Sequence, residues 1–237
     1  MTHSMKSLIL SGGLLTLGAA AFLVPHPSSA ETTKVVPPPA VDEAARPGAS
    51  SETVVLAGGC FWGVQGVFQH VKGVTSAVSG YSGGLQADAS YAAVSNGTTG
   101  HAESVEITYD PHQVSFGKLL QIYFSVVTDP TILNAQGPDE GTQYRSDIFA
   151  TNPEQADIAT RYIAQLQAAH VYAAPIVTTV TAFKSFYRAE GYHQNYLTDH
   201  PDAGYIAIND MPKVEGLKAL FGADYRQSPA LVTASTN

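Results

Sequence analysis

The alternation of hydrophobic and polar residues divides the central part of the chain into short strands and helices. An apolar run at residues 53–57 ends at a Gly-Gly pair, which predicts a buried strand followed by a tight turn. Apolar residues then recur at helical spacing from Phe61 to Phe68, and this predicts a helix that begins near Cys60. The apolar residues at 74–78 predict a second strand.

The segment 101–109 alternates strictly, as a half-buried strand does. One face carries Val105, Ile107 and Tyr109, so this face is expected to point into the core. Glu103 lies on the same face, whereas Glu106 lies on the opposite one. The pattern therefore predicts a buried Glu103.

Three further elements follow in the second half of the chain. Residues 116–127 have the apolar spacing of an amphipathic helix. Asn152, Pro153 and Gln155 form a helix start, with Asn152 as the capping residue. Residues 176–183, rich in Val and Thr, predict another strand. Because strands and helices interleave, the fold class is a mixed α/β domain.

The first 30 residues have the composition of an export signal. Lys6 is the only charged side chain before Glu31, and residues 8–24 are apolar and small. Small residues at 28–30 suit a signal peptidase. We expect a cleaved signal peptide over residues 1–30 and a protein that is periplasmic or secreted, without stable membrane association afterwards. The alternative is an uncleaved N-terminal anchor.

Composition sets the other domain boundaries. Residues 31–51 contain three consecutive prolines and several Ala, Gly and Ser residues, which predicts an extended linker. Residues 52–225 form the expected catalytic domain, and residues 226–237 form a polar tail that is expected to be mobile.

Charge and cysteine content exclude several classes of protein. The formal net charge is −8 and no basic run is present, which argues against binding to nucleic acid. One cysteine excludes an intramolecular disulfide and a multi-thiolate metal site. No cluster has the spacing of metal ligands, so no metal or other bound cofactor is expected.

The single cysteine stands where the first predicted strand turns into a helix. There the sulfur of Cys60 would lie near free backbone N–H groups and the positive end of the helix, which predicts a lowered thiol pKa. Phe61 and Trp62 follow directly, and two adjacent large aromatic residues cannot both point into the core. The interpretation is a reactive thiol beside a small apolar pocket; the alternative is a buried structural cysteine.

Short motifs around Cys60 continue in order along the chain. They are Gly59-Cys60-Phe61-Trp62-Gly63, Gly80-Tyr81-Ser82-Gly83-Gly84, Thr99-Gly100-His101-Ala102-Glu103, Asp129-Pro130-Thr131, Asn134, Gln136, Gly137, Asp139, Gly141, Thr142-Gln143-Tyr144-Arg145-Ser146, Ala189-Glu190, Tyr192-His193-Gln194 and Tyr196. Together they resemble the peptide methionine sulfoxide reductases of the A type, over essentially the whole domain. The resemblance implies a two-layer α/β sandwich with a ferredoxin-like core and a mixed sheet.

The resemblance also implies a reaction. The thiolate of Cys60 attacks the sulfur of methionine-S-sulfoxide, free or in an oxidised protein, and Glu103 protonates the oxygen that leaves. Cys60 becomes a sulfenic acid, methionine is released, and oxidised proteins are thereby repaired.

Other site residues follow from the same resemblance. Tyr91 and Tyr144 are expected to donate hydrogen bonds to the sulfoxide oxygen. Asp139 is expected in the polar network around the substrate, and Phe61 and Trp62 are expected to hold its terminal methyl group.

The chain departs from many relatives in its lack of a resolving cysteine. Ile206 and Val94 occupy positions that are cysteine in some members of the family. Cys60 must therefore be regenerated by an external thiol or by a dithiol reductant of the thioredoxin or glutaredoxin type. We expect a monomer.

Two other functions fit parts of the pattern. His101 or His193 could act as the base of a Cys–His hydrolase or acyl transferase, although neither histidine is the acid in the family. The missing second cysteine also fits a sulfoxide-binding module without catalysis.

Overall fold

A computed structural model describes Met1, residues 33–43 and residues 48–233 of the chain. Apart from Met1, the predicted signal peptide lies outside the described residues. In the described part, no helix is both long enough and apolar enough to cross a membrane.

The strands form a six-stranded sheet and a small hairpin. In the order β7-β6-β1-β3-β2-β8, neighbouring strands of the sheet are antiparallel except for the parallel pair β6–β7. The hairpin pairs β4 with β5. The bounds are β1 Glu52–Gly58, β2 Val74–Ser82, β3 Ala102–Tyr109, β4 Ala135–Gln136, β5 Asp139–Glu140, β6 Ser146–Ala150, β7 Thr179–Ala182 and β8 Phe186–Arg188.

Helices connect and cover these strands. A π-helical turn, Tyr123–Val127, follows α3, and a second one, Ile206–Asp210, precedes α6. The bounds are α1 Phe61–Gln69, α2 Tyr91–Val94, α3 Phe116–Ile122, α4 Pro153–Ala168, α5 Tyr196–Asp199 and α6 Met211–Leu220.

The centre of the fold has ferredoxin-like topology. The elements β1, α1, β2, β3, α3 and β6 form a βαββαβ unit, if the short α2 and the hairpin β4–β5 are set aside as insertions. Their strands lie in the order β6-β1-β3-β2, which is the order such a unit requires. The predicted mixed sheet with helices packed on it is therefore confirmed.

Several local predictions are confirmed with adjusted bounds. The strand predicted at residues 74–78 extends to Ser82, and the one predicted at residues 176–183 is limited to Thr179–Ala182. The helix predicted at 116–127 changes from α to π geometry at Tyr123. The strands β6 and β8 and the helix α6 were not predicted.

The predicted cap at the start of α4 is present. Asn152 Oδ1 accepts a hydrogen bond of 2.9 Å from the backbone N–H of Gln155. Gln155 Oε1 in turn accepts from the backbone N–H of Thr151 at 3.0 Å, one residue earlier than a regular capping box.

Residues 33–43, here called the N-terminal strap, have no helix or strand but are bound to the domain. Val36 is fully buried. Its backbone N–H donates to Ser125 Oγ at 3.2 Å, and its carbonyl accepts from Gln121 Nε2 at 2.9 Å. Tyr162 donates its hydroxyl to the carbonyl of Pro37 at 2.6 Å. This part of the segment predicted as a linker therefore belongs to the packed domain.

Two carboxyl groups of the strap cap α3. Asp42 accepts hydrogen bonds from Ser115 Oγ at 2.5 Å and from the backbone N–H of Gly117 at 2.7 Å. Glu43 accepts from the backbone N–H of Phe116 at 2.8 Å and from Tyr109 Oη at 3.1 Å. Hydrogen bonds to a helix terminus leave no periodic signal in the sequence, which is why composition alone predicted a free linker.

The first part of the C-terminal tail is also held. Asn195 donates its side-chain amide to the carbonyl of Val232 at 2.7 Å and accepts from the backbone N–H of the same residue at 3.1 Å. Ala230 donates to the carbonyl of Gln69 at 2.9 Å. As far as Thr233 the tail is therefore fixed against α1 and the residues before α5, where a mobile segment was expected.

Candidate active site

The turn between β1 and α1 places the single cysteine. Gly59 has φ +96°, a left-handed conformation, and a β-carbon there would lie 2.7 Å from Cβ of Gln136. Gln136 is itself fixed by hydrogen bonds to the backbone N–H and carbonyl of Asp129, at 2.9 and 2.8 Å. Glycine is required at this turn, which sets Cys60 as the N-cap of α1 with 8% of its surface exposed.

Glu103 lies directly against this helix start. It points inward from β3 with 2% of its surface exposed, while Glu106 is partly exposed, as the alternation predicted. Glu103 Oε2 accepts a hydrogen bond of 3.0 Å from the backbone N–H of Phe61, the residue after Cys60. The pKa of Glu103 is raised to about 8: burial is the main cause, the Phe61 hydrogen bond opposes it, and the nearby carboxylates of Asp139 and Asp210 add to it. At neutral pH Glu103 is therefore largely protonated.

The expected lowering of the Cys60 pKa is wrong for the protein without substrate. Burial raises the pKa of the thiol well above its usual range, and the charges of Glu103 and Asp210 raise it too. The backbone N–H of Trp62 lowers it, as expected at a helix N-terminus, but desolvation outweighs this effect. The site at rest thus holds a neutral thiol beside a neutral carboxylic acid.

The two predicted phenols, Tyr91 and Tyr144, lie close enough to Glu103 and Cys60 for the charges of these groups to act on them. Burial raises the pKa of both Tyr91 and Tyr144, and the charge of Glu103 is the next contribution for each. Tyr91 opens α2, where Glu190 Oε1 accepts its backbone N–H at 2.9 Å. Glu190 Oε2 also accepts from Tyr81 Oη at 2.9 Å, so one carboxylate fixes the start of α2 to β2.

The two aromatic residues after Cys60 have different environments, as predicted. Phe61 is buried, with its ring 5.0 Å from the ring of His193. Trp62 is partly exposed and stacks on Tyr196 with ring centroids 3.9 Å apart. The indole N–H of Trp62 donates to His193 Nδ1 at 3.2 Å, which fixes the indole ring at the start of α1.

Asp139 completes the predicted set. It follows the hairpin turn at the start of β5 and accepts a hydrogen bond from Tyr205 Oη. Burial raises the pKa of Asp139, against the lowering effects of the Tyr205 hydrogen bond and the charge of Lys213. The ring of Tyr205 meets Trp62 edge to face at 6.0 Å, so the chain of contacts returns to the residues after Cys60.

Neither candidate histidine is placed as a base for Cys60 in the part of the chain that the structure describes. His101 Nδ1 accepts from the backbone N–H of Gly84 at 3.2 Å, and its Nε2 lies 3.0 Å from the carbonyl of Leu85. His193 accepts from Trp62, and burial lowers its pKa. Both rings position neighbouring groups, which argues against the Cys–His hydrolase.

The positions that carry a second cysteine in some relatives lie in the core. Ile206 and Val94 are both fully buried. Among the described residues, no group of three or more His, Cys, Asp or Glu side chains is placed to hold a metal ion.

Four residues of the site were given no role by the sequence: Tyr205, Glu190, Asp210 and Lys213, although Glu190 stands in one of the family motifs. Tyr205 follows Gly204 in the segment that was considered only for its missing cysteine. Asp210 precedes Met211 and a proline, which is the pattern of a helix start, but nothing in that pattern indicates proximity to Cys60.

Comparison with known proteins identifies the family that the sequence motifs resemble, and the match extends along the whole domain. The family model described as peptide methionine sulfoxide reductase matches residues 52–224. A Mesorhizobium japonicum protein named peptide methionine sulfoxide reductase MsrA 2 is 61% identical over 197 residues, which cover 83% of this chain and 100% of the relative. A Synechocystis protein with the same name is 46% identical over 202 residues, covering 84% of this chain and 92% of the relative.

Two solved structures are similar in fold. The reduced form of Mxr1 from Saccharomyces cerevisiae superposes with a TM-score of 0.60 at 30% identity, covering 67% of this chain and 91% of that one. Methionine sulfoxide reductase A of Corynebacterium diphtheriae gives a TM-score of 0.56 at 33% identity, covering 76% and 87%. With the family model matching most of its length, the chain belongs to the peptide methionine sulfoxide reductase family, in the A type.

Proposed function

We propose that Cys60 and Glu103 together perform the reduction of methionine-S-sulfoxide to methionine. The reductase activity follows from the family, and the assignment of residues rests on one observation in particular. The carboxyl group of Glu103 is bound to the backbone N–H directly after Cys60. The acid is thus held next to the turn that carries the nucleophile. One sulfoxide group can therefore contact both side chains.

The proposed reaction starts from the neutral thiol and the neutral acid. Glu103 transfers its proton to the sulfoxide oxygen, and its carboxylate receives the proton of the Cys60 thiol. The Cys60 thiolate then bonds to the sulfoxide sulfur, and the hydroxyl group passes to the cysteine sulfur as the bond between the two sulfur atoms breaks. Thiol and sulfoxide become sulfenic acid and thioether, and Glu103 ends with the proton count that it had at the start.

The neighbouring side chains fit supporting roles. Tyr91 and Tyr144 have raised pKa values, so they keep their protons and can donate hydrogen bonds to the sulfoxide oxygen as negative charge develops. Phe61 and the partly exposed Trp62 offer an apolar wall for the terminal methyl group. Asp139 accepts from Tyr205 and lies within the polar network.

Regeneration of Cys60 requires a partner. The chain has one cysteine, so the sulfenic acid must be reduced by an external thiol, for which a thioredoxin- or glutaredoxin-type dithiol is the proposed source. Two thiol groups supply the two electrons, water leaves, and the donor becomes a disulfide. Oxidised proteins and free methionine sulfoxide are both proposed substrates.

The place of action is proposed from the sequence of residues 1–30. Their apolar, nearly uncharged composition supports export by a signal peptide and repair of oxidised methionine outside the cytoplasm. N-terminal sequencing of the protein recovered from cells is expected to begin near Glu31. A sequence that begins at Met1 or Thr2 would overturn the cleavage and favour the uncleaved N-terminal anchor.

The assignment of Cys60 is tested by Cys60→Ser. The variant is expected to lose turnover of methionine-S-sulfoxide completely, because the hydroxyl group is a far weaker nucleophile than a thiolate. In the parent, one turnover without reductant is expected to release methionine and add one oxygen atom to Cys60, measured by mass spectrometry of the intact protein.

Three results would overturn the proposal. Activity in Cys60→Ser would show that Cys60 is not the nucleophile. Turnover limited to the R epimer would contradict the A-type assignment. Sulfoxide binding without oxygen transfer would favour a non-catalytic binding module.

A further inference from the structure

Asp210 is a fully buried acid at the junction of the second π-helical turn and α6. A buried carboxylate is unstable unless a cation or hydrogen-bond donors compensate it. Lys213, itself buried, places Nζ 3.7 Å from Asp210 Oδ1. The two residues form an ion pair within the packed domain.

This ion pair lies against the helix that Cys60 begins. Gly63 is the third residue of α1, and a β-carbon at Gly63 would overlap the carboxylate of Asp210, with Cγ only 2.7 Å away. Glycine at this position therefore lets the carboxylate approach the first turn of α1. The backbone N–H groups of that turn and the helix dipole favour a negative charge.

Two carboxyl groups thus flank one helix start, and they differ in their partners. Glu103 is bound at the first residue, Phe61, and Asp210 lies at the third. Asp210 has the cation Lys213, and it raises the pKa of both Glu103 and Cys60. In the part of the chain that the structure describes, the titratable and charged groups around this helix start are Cys60, Glu103, Asp139, Asp210, Tyr91, Tyr144, Tyr205, His193 and Lys213.

We propose that Asp210, held by Lys213, is a positioning residue that supplies the permanent negative charge at the start of α1, so that Glu103 remains a protonated acid. The inference rests on the proposed roles of Cys60 and Glu103. The carboxylate acts through the helix turn.

The test is Asp210→Asn, which keeps the shape and removes the charge. The pKa of Glu103 is expected to fall, so the decrease of kcat/KM at high pH is expected to begin about one pH unit lower than in the parent. The pKa of Cys60 is expected to fall as well. Because Cys60 is the only cysteine, the rate of alkylation by iodoacetamide against pH reports this directly, and its midpoint is expected at lower pH.

A second variant keeps the test decisive if Asp210→Asn does not fold. Asp210→Asn removes the carboxylate of the ion pair and keeps the buried charge of Lys213, whereas the double variant Asp210→Asn/Lys213→Gln removes both charges. The double variant is expected to fold and to shift both profiles in the same direction by a smaller amount, because the Lys213 cation opposes the Asp210 carboxylate and is removed with it. Lys218→Gln, a charge removal on the same helix α6 at an exposed position, serves as the matched control and is expected to leave both profiles unchanged.

The outcomes separate this inference from the proposed function. Alkylation and kcat/KM profiles of Asp210→Asn and of the double variant that superpose on those of the parent would overturn the role of Asp210 while Cys60→Ser still abolishes activity. Equal shifts in Lys218→Gln would overturn it too. Activity in Cys60→Ser would instead overturn the proposed function, and the alkylation profiles would still report whether Asp210 acts on the thiol.

Discussion

Two helices of this domain begin against carboxyl groups from distant parts of the chain, and these groups differ in burial. At α3, Asp42 and Glu43 of the N-terminal strap accept four hydrogen bonds near the surface. At α1, Glu103 is 2% exposed and accepts a hydrogen bond from Phe61. The same arrangement caps a helix in one place and holds the proposed proton donor in the other, and the difference in burial is what sets the two carboxyl groups apart.

Glu103→Gln is expected to give the largest effect on this comparison. The amide can still accept from the N–H of Phe61, but it has no acidic proton, so kcat/KM for methionine-S-sulfoxide is expected to fall by about 100- to 10,000-fold. Steady-state kinetics measures the loss, and a melting temperature close to that of the parent shows that the fold is kept. An unchanged rate would mean that another group protonates the oxygen.

The pH dependence of kcat/KM is the next test. The proposed reaction starts with protons on both Cys60 and Glu103, and the pKa of Glu103 is about 8. As pH rises through this value Glu103 loses its proton, so kcat/KM is expected to fall by about tenfold per pH unit above it. A rate that instead rises through pH 8 would show that the singly protonated pair reacts. Glu103→Gln is expected to lack this decrease.

Val36→Ala tests whether the strap belongs to the domain. The Val36 side chain is fully buried, and its loss is expected to reduce the free energy of unfolding by about 2 kcal/mol. Denaturant unfolding measures the change. The exposed Val35, replaced by Ala in the same way, is the control and is expected to change stability little. Equal effects at both positions would show that the strap is not docked in solution.

Glu43→Gln is expected to give the smallest effect and is the counterpart of Glu103→Gln. The substitution weakens the charge-assisted bond to the N–H of Phe116, at a cost of about 1 kcal/mol in unfolding free energy. The kcat/KM value is expected to stay at the parental level. A loss of activity comparable to that of Glu103→Gln would remove the distinction between the two helix starts.

The sequence predicted those parts of the site that depend on local periodicity. The alternation of residues 101–109 placed Glu103 inward, and the Gly-Gly turn placed Cys60 at a helix start, as the structure has them. The adjacency of the two residues came only from the resemblance to the family. Roles for Tyr91, Tyr144 and Asp139 had the same source, because a single tyrosine or aspartate carries no pattern of its own.

The parts of the site that the sequence did not predict depend on contacts between residues far apart in the chain. Asp210 is 150 positions from Cys60, and its approach to Gly63 depends on how α6 packs on α1. The pKa of Cys60 was predicted in the wrong direction because the helix terminus is visible in the sequence, whereas the extent of burial is not. The strap was mistaken for a linker since its contacts use backbone groups and two carboxylates.

The docking of the strap also sets an order of events during synthesis. Residues 33–43 leave the ribosome before any strand of the sheet, yet their partners include Gln121, Ser125 and Tyr162, which are made much later. Until these three residues have been made, the strap cannot form the corresponding hydrogen bonds. The strap is therefore the first part of the domain to be synthesised and among the last to dock. In a chain that ends before Tyr162, the strap would lack part of its binding surface.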